Sequence, residues 1–575
     1  MSAHTESDML QAKGDLMSKA SSIQVLEMRT NGASSSAETT TTTPTPTTEE
    51  TTPLTKRQFA FVIAGLALAV MMASLDATIV STALKSVVAE FGKQSLLPWV
   101  GSAYLLTSAP FGIMYGKISD LFGRKSVFIF ALVVFEFGSL LCGIAPSMEI
   151  LILGRAVAGI GGGGIFTLAF IIIADIVEFQ DRAKYQGMVG GIYGLATIIG
   201  PLVGGAFTDK TTWRWCFYIN LPLGAIAIPG IITFLHLPAP KGTFLEKIKR
   251  IDFIGTILVF LFIAAIITPT QFGGSVWDWN SPQVICLYIL GLILLAAFIY
   301  VERFVANEPI VPSLLFANST VTAILVIALV VGAAFVGAIY YISLFFQIVN
   351  GNTATVGGVK AIPLVFGHVI FSIVTGVIMS GTGKYKYVFY TGPIFLITGI
   401  SLIATMNGSS SLIQNIFYLL IFGVGTGLIT QTCIVAVQVS SDKSLLAVAT
   451  ALAQTAVPLG GAFGIAISGA IFNNIISKDA QNYPTLISAV SQITAQNISI
   501  KVTDTLQLSE LLTSLPFVTN GTAANADLIL VFNGAFKIAY LSFLAYPLVI
   551  LCLVWFIKEV RFGEEGGKRD IEFAL

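Results

Sequence analysis

Four ionisable side chains fall inside long apolar stretches of this sequence: Asp76 in SLDATIV, Glu136 in FEFGS, Arg155 in LILGRAVAG and His368 in FGHVI. An ionised group in hydrocarbon costs ~2.5–3.5 kcal/mol on insertion scales, so each needs a partner or a function. A desolvated carboxyl can load and release a proton near neutral pH. That makes Asp76 the leading proton-site candidate. Its alternative is an ion-paired or hydrogen-bonded carboxyl that only holds helices together. Glu136 carries the same two readings, proton coupling or packing. His368 is either a satisfied structural imidazole or a titrating group that lines a cavity. Arg155 stays charged at any workable pH and cannot carry a proton. It lies at a depth matching Asp76, so the two are candidates for a pair.

Two further patterns are suited to movement rather than to bond chemistry. The segment GKISDLFGRK joins Gly116, Asp120, Gly123, Arg124 and Lys125 at the end of a helix. Asp120 can pair with a basic residue or a helix N-terminus and so latch one conformation; the plainer reading is an ordinary basic loop. The runs GIGGGG (159–164) and GPLVGG (200–205) let helix backbones approach closely, and Pro201 removes a donor that can kink its helix. These glycines serve either static packing or a helix pair that bends and slides. No GxxxxGK[ST], HExxH, GxSxG, paired CxxC or TVGYG occurs, which disfavours ATP-driven transport, enzymes of those classes and such channel filters. The cysteines at 142, 216, 286, 433 and 552 have no metal-ligand spacing and read as membrane-packed thiols.

The elements that hold these residues follow from composition. The 575 residues are 55% hydrophobic and only 11% charged, against ~25% charged in soluble proteins. The chain is therefore expected to be an all-α polytopic membrane protein. Apolar runs long enough to cross a bilayer are predicted at 59–83, 99–118, 126–145, 151–175, 186–207, 215–237 and 253–271. They continue at 284–301, 320–345, 357–380, 388–406, 412–437, 445–473 and 536–557, about fourteen in all. Residues 1–55, rich in Ser, Thr, Pro and Glu, are expected to be a disordered tail without a cleaved signal. Basic residues of the short loops crowd one side, from Lys117 to Lys443. The other side carries only Lys85, Lys93, Lys210, Arg214 and Lys360. The positive-inside rule then places both termini in the cytosol. The sequons at Asn407, Asn497 and Asn520 fall on the outer side and are candidate glycosylation sites, whereas Asn318 falls inside. With 31 basic and 31 acidic residues, nothing points to nucleic acid.

Four motifs in chain order identify a family. The Gly116–Lys125 loop resembles motif A of the major facilitator superfamily. Leu151–Gly163, with Arg155 and Gly159, resembles motif B. Gly187 followed by Gly200, Pro201, Gly204 and Gly205 resembles the antiporter motif C. Leu75, Asp76, Thr78, Ile79, Val80 and Leu84 resemble the helix-1 motif of the fourteen-helix drug:proton antiporter branch. The stretches WRWCFYINLPLG (213–224) and YYISLFFQIVNG (340–351) are similar to those of fungal members. The chain departs from the usual motif residues at Ala158, Ala196, Ser81 and Lys85.

The resemblance implies a major facilitator fold. One six-helix bundle would span 56–237, a linker with two extra helices 238–303, and a second bundle 304–557. The long outer loop would be 474–535 and a cytosolic tail 558–575. It implies alternating access, motif A as an inner-gate latch, Arg155 in proton coupling and motif C at the bundle interface. The expected activity is proton-coupled export of small organic molecules or drugs. The alternatives are a vacuolar proton/amino-acid antiporter and, from another class, a non-transporting sensor. The expected partners are a small-molecule substrate, protons and the lipid bilayer, with no cofactor and no metal. A monomer in the plasma membrane is expected, with the vacuolar membrane as the alternative.

Overall fold

The computed structural model describes residues 55–559, apart from 93–95, 179–180, 238–239, 241, 274–276, 307, 353, 480–481 and 483–522. The described residues form long helices. In the first part of the chain these are α1 (Lys56–Phe91), α2 (Leu97–Phe122), α3 (Arg124–Gly143), α4 (Met148–Ile176), α5 (Arg182–Lys210) and α6 (Asn220–Phe234). A pair follows, α7 (Phe253–Phe272) and α8 (Pro282–Phe304). The last part comprises α9 (Ser319–Ile348), α10 (Ile362–Thr382), α11 (Lys386–Ile403), α12 (Leu412–Ser440), α13 (Leu446–Asp479), α14 (Ala523–Ser542) and α15 (Ala545–Val554).

The helix ends follow local chemistry. Thr55 with Gln58, and Ser411 with Gln414, form capping boxes that satisfy the first free amides. Ser281 caps α8 just ahead of Pro282, whose missing N–H is one the helix would leave unbonded anyway. Gly123 has φ +92°, so a single residue suffices to turn the chain from α2 into α3.

Among the described residues, thirteen helical segments are long and apolar enough to cross a membrane. α2 is as long as the others but is not among them. Its Ser, Thr, Gly and two proline residues dilute its apolar character, and it is buried against α4, α7 and α13. The predicted last span, 536–557, starts too late. The crossing is Ile529–Val554, within α14 and α15, and α14 itself begins at Ala523. Asn525, Asp527 and Asn533 break the apolar pattern there. α13 likewise runs on to Asp479, so helix occupies both ends of the expected 474–535 loop. The expected span 357–380 is split into a short helix, Ala354–Lys360, and α10. The tail 1–55 lies outside the described residues except for Thr55.

Packing falls into two groups. α4 packs on α2 and α3, while α1 packs on α5 and α6. In the second group α9 packs on α13, α10 and α11 pack on α12, and α14 packs on α13. The groups meet where α5 lies along α10 and α2 along α13, and the α7–α8 pair leans on α2 and α13 through α7. The α9–α13 contact is backbone on backbone. A Cβ at Gly460 would collide with the Leu329 carbonyl, and one at Gly332 with the Val457 carbonyl. Gly460→Val must therefore push α13 off α9. Overpacking of this kind costs about 1–3 kcal/mol, so the thermal unfolding midpoint in detergent should fall clearly. Gly230→Ala, with nothing within 4 Å of the added carbon, should leave it in place.

Candidate functional site

Asp76 and Arg155 meet in the interior of the first helical group. α1 brings Asp76 and α4 brings Arg155, and the guanidinium Nη1 lies 2.5 Å from the Asp76 Oδ2. The pair is essentially sealed, with the carboxylate at 0% and the guanidinium at 1% exposure. Arg155 Nε donates to the Val100 carbonyl at 3.1 Å, and its guanidinium sits 4.6 Å from the Tyr104 ring centroid. The second carboxylate oxygen of Asp76 accepts from Asn220 Nδ2 at 3.2 Å, and that same amide nitrogen reaches Ser139 Oγ at 3.1 Å. Five helices thus converge on one ion pair: α1, α2, α3, α4 and α6.

The glycine run 159–164 explains how α4 comes close enough. A Cβ at Gly159 would strike the Tyr104 carbonyl of α2, and one at Gly161 would strike the α3 backbone at Ala131 and Phe135. Glu136 lies at the edge of this cluster. Both its carboxylate oxygens are buried without a hydrogen-bond partner, and they rest against Gly224 of α6. His368 is not part of it. It is buried on α10, stacked on Phe335 at 4.0 Å, with Nδ1 3.1 Å from Thr426 Oγ1.

The glycines that resemble motif C divide between two jobs. Gly187 packs on Ser372 and Ile373 of α10, across the two groups, whereas Gly200 packs on Thr78 of α1 within one group. Gly204 offers its carbonyl to Thr208 Oγ1 at 2.7 Å, and Gly205 faces open space. α5 continues as helix through Pro201.

The end carrying Lys117, Arg124, Lys125 and Arg182, here the basic end, is closed. Arg124 ties three helix ends of one group together, meeting Asp120 at 2.6 Å, Asp175 at 2.9 Å and Ser119 Oγ at 2.6 Å. Lys125 Nζ donates to the Ile232 carbonyl near the C-terminus of α6, at 2.6 Å. A contact of this segment with the second group is made by Gly116, where an added Cβ would come within 3.1 Å of the Ala447 carbonyl. Asp120 therefore finds a basic residue and not a helix N-terminus. Three glutamines complete the seam. Gln186 donates to Gln438 Oε1 at 2.9 Å, Gln438 to Thr450 Oγ1 at 3.2 Å, and Gln431 to the Ala183 carbonyl at 3.2 Å.

Sequence reasoning singled out neither these glutamines nor Asn220, though each is a polar residue in an apolar run, the signal that marked Asp76. It also passed over Glu308, which accepts from Lys117 Nζ at 3.1 Å and Arg250 Nε at 2.5 Å. This clasp binds α2 to the segments before α7 and after α8. Asn407 is exposed in the turn between α11 and α12, while Asn497 and Asn520 lie outside the described residues.

The Major Facilitator Superfamily profile matches residues 66–465. The chain belongs to the major facilitator superfamily. It is 36% identical over 438 residues to the MFS-type efflux pump MFS1 of Arthroderma benhamiae, covering 76% of this chain and 82% of that protein. It is 34% identical to the efflux pump aflT of Aspergillus parasiticus, over 76% of this chain and 85% of that one. Among solved structures it resembles a bacterial homolog of the human lysosomal transporter Spinster at TM-score 0.53 and 14% identity, covering 88% of this chain and 98% of that one. The human organic anion transporter MFSD10 matches at TM-score 0.53 and 14% identity, over 84% and 99% of the two chains. This is thus a multi-pass membrane transporter and not an enzyme.

Two expected outcomes test the geometry. Removing one partner of a buried ion pair costs about 3–5 kcal/mol, because the other charge is left uncompensated. Asp76→Asn and Arg155→Met should each lower unfolding stability by that order, and the double variant by clearly less than their sum. Additive losses would refute the pairing. The second concerns Glu308, whose carboxyl is held below the usual range by the Arg250 hydrogen bond first and by Lys117 next, against partial burial. A depressed folded pKa gives stability that is complete above the ordinary carboxylate range and lost as pH falls through the depressed value. Thermal midpoints of the wild type should therefore exceed those of Glu308→Gln at neutral pH and converge with them in acid. A gap that does not change with pH would contradict the clasp.

Proposed function

We propose that this transporter is a proton-coupled antiporter that exports small organic molecules from the cytosol by alternating access. The observation that carries the reading is the Asp76–Arg155 pair, a carboxylate and a guanidinium sealed from solvent inside one helical group. An acid there can exchange a proton only when its hold on the arginine is released, which is what coupling requires. The relatives named as efflux pumps support the direction of transport.

On this reading residues 56–237 and 304–557 are the two moving bundles, and 238–303 joins them through the α7–α8 pair. The positive-inside rule places the basic end, both termini and the tails 1–55 and 558–575 in the cytosol. The closed end is then the cytosolic one, and Asn407 sits on the non-cytosolic side. The motif residues Gly116, Asp120, Gly123, Arg124 and Lys125 hold the cytosolic gate. Gly116 forms its contact across the seam, and the others fix the helix ends that carry it. Gly187 provides the seam between α5 and α10, and His368 is a structural imidazole of the second bundle. The working unit is a monomer in the plasma membrane, and its cargo binds between the bundles.

The driving force suffices. One pH unit supplies ~1.4 kcal/mol per proton, and a potential of 100 mV adds ~2.3 kcal/mol. The test is uptake into proteoliposomes under an imposed pH gradient, comparing a lipophilic cationic dye with lysine and histidine. Dye uptake that collapses with the gradient is the expected result, and Asp76→Asn should reduce it to the level seen without a gradient. Gradient-driven flux of normal size in Asp76→Asn and Arg155→Ala would overturn the coupling. Uptake of the amino acids in place of the dye would reassign the cargo.

A further inference from the structure

The formal charges of the Asp76 cluster do not balance. Two carboxyls, Asp76 and Glu136, share one guanidinium, Arg155, and Arg155 is committed to Asp76. Glu136 has no cation, and neither of its oxygens has a donor. A second orphan lies beside it. Asn220 is fully buried, its Nδ2 is spent on Asp76 and Ser139, and its Oδ1 has no partner.

Helix periodicity puts these groups on facing surfaces. Glu136 and Ser139 lie three apart on α3, while Asn220 and Gly224 lie four apart on α6. Ser139 meets Asn220, and Glu136 rests against Gly224. Two unsatisfied acceptor groups thus lie on adjoining helices about one helical turn apart, and an uncompensated buried acceptor is costly. One hydrogen placed on Glu136 makes the cluster electrically neutral and supplies the kind of donor that Asn220 Oδ1 lacks.

We propose that Glu136 is a proton-binding site, carrying a proton directed at Asn220 Oδ1, and that Asn220 links this proton to the Asp76–Arg155 pair. The polar and titratable groups of the Asp76 cluster beside which Glu136 lies are Asp76 from α1, Tyr104 from α2, Arg155 from α4, Asn220 from α6, and Ser139 and Cys142 of α3. Of these only Arg155 is cationic. If Arg155 lets go of Asp76, the Glu136 O–H bond can break as an O–H bond forms on Asp76. Arg155 then compensates the new Glu136 anion, and the cluster stays neutral throughout. Gly224 is the positioning residue, since a side chain there would occupy the place of the Glu136 carboxyl. The role of this proton in transport rests on the coupled-antiport reading above, whereas its presence does not.

The test is infrared spectroscopy of the full-length protein in lipid at neutral pH, in H2O and D2O, with uptake measured on the same preparations. The wild type should show a protonated-carboxyl C=O band that Glu136→Gln lacks. Gly224→Ala should shift that band without removing it. Gradient-driven dye accumulation by Glu136→Gln should be lost. A carboxyl band equally intense in wild type and Glu136→Gln would overturn the proposal, even with coupled transport intact. A band specific to Glu136 in a wild-type protein that shows no gradient-driven uptake would sustain the site and defeat the antiport reading instead.

Discussion

The ion pair between Asp76 and Arg155 sets the terms for the first half of the molecule. Neither charge is tolerable alone in hydrocarbon, and Arg155 cannot shed its charge. Each must be brought to the other and the remaining polar atoms satisfied. That demand accounts for the local sequence. α4 carries Gly159 and Gly161 because the α2 and α3 backbones must come within contact of it for Arg155 to reach Val100, Tyr104 and Asp76 at once. α6 carries Asn220 because the second Asp76 oxygen needs a donor that adds no charge.

The second half has no such ion pair among its described residues. Its tight contacts are between backbones, at Gly332, Gly460 and Gly464, and its one deeply placed imidazole, His368, is absorbed by an aromatic stack and a threonine. The two halves therefore differ in chemistry although both are helical bundles. One holds a buried charged cluster, and the described residues of the other are held by apolar side chains and close backbone contacts.

Much of this was legible in the sequence. Helix-length apolar runs located nearly every membrane helix, because spanning length follows directly from bilayer thickness. The Asp76–Arg155 pair was legible because both residues are expensive in their apolar surroundings. Three features were not. The start of the last crossing was hidden by Asn525, Asp527 and Asn533, which read as loop residues. The clasp of Lys117, Glu308 and Arg250 joins residues from three separate segments, each an ordinary charge near a helix end. The Gln186–Gln438 contact links residues 252 positions apart, and a neutral amide in an apolar run carries no sign of where its partner lies.

The contrast between these interactions bears on how such a molecule can switch. The basic end is held by small residues against carbonyls and by amide hydrogen bonds, each worth only about 0.5–1.5 kcal/mol net. Several of them together hold the seam, yet each could be exchanged for water if the halves separated. The Asp76–Arg155 pair cannot be exchanged for water in that way, because both side chains are sealed from solvent within one helical group. On the coupled-antiport reading, a change in the proton content of the cluster would alter how firmly α1 and α4 are held together. α2 packs on α4 through Gly159 and reaches the second half through Gly116. It is therefore one element, beside α5, through which a change at the charged cluster would be felt at the seam, and its lower apolarity fits a helix that faces other helices more than lipid.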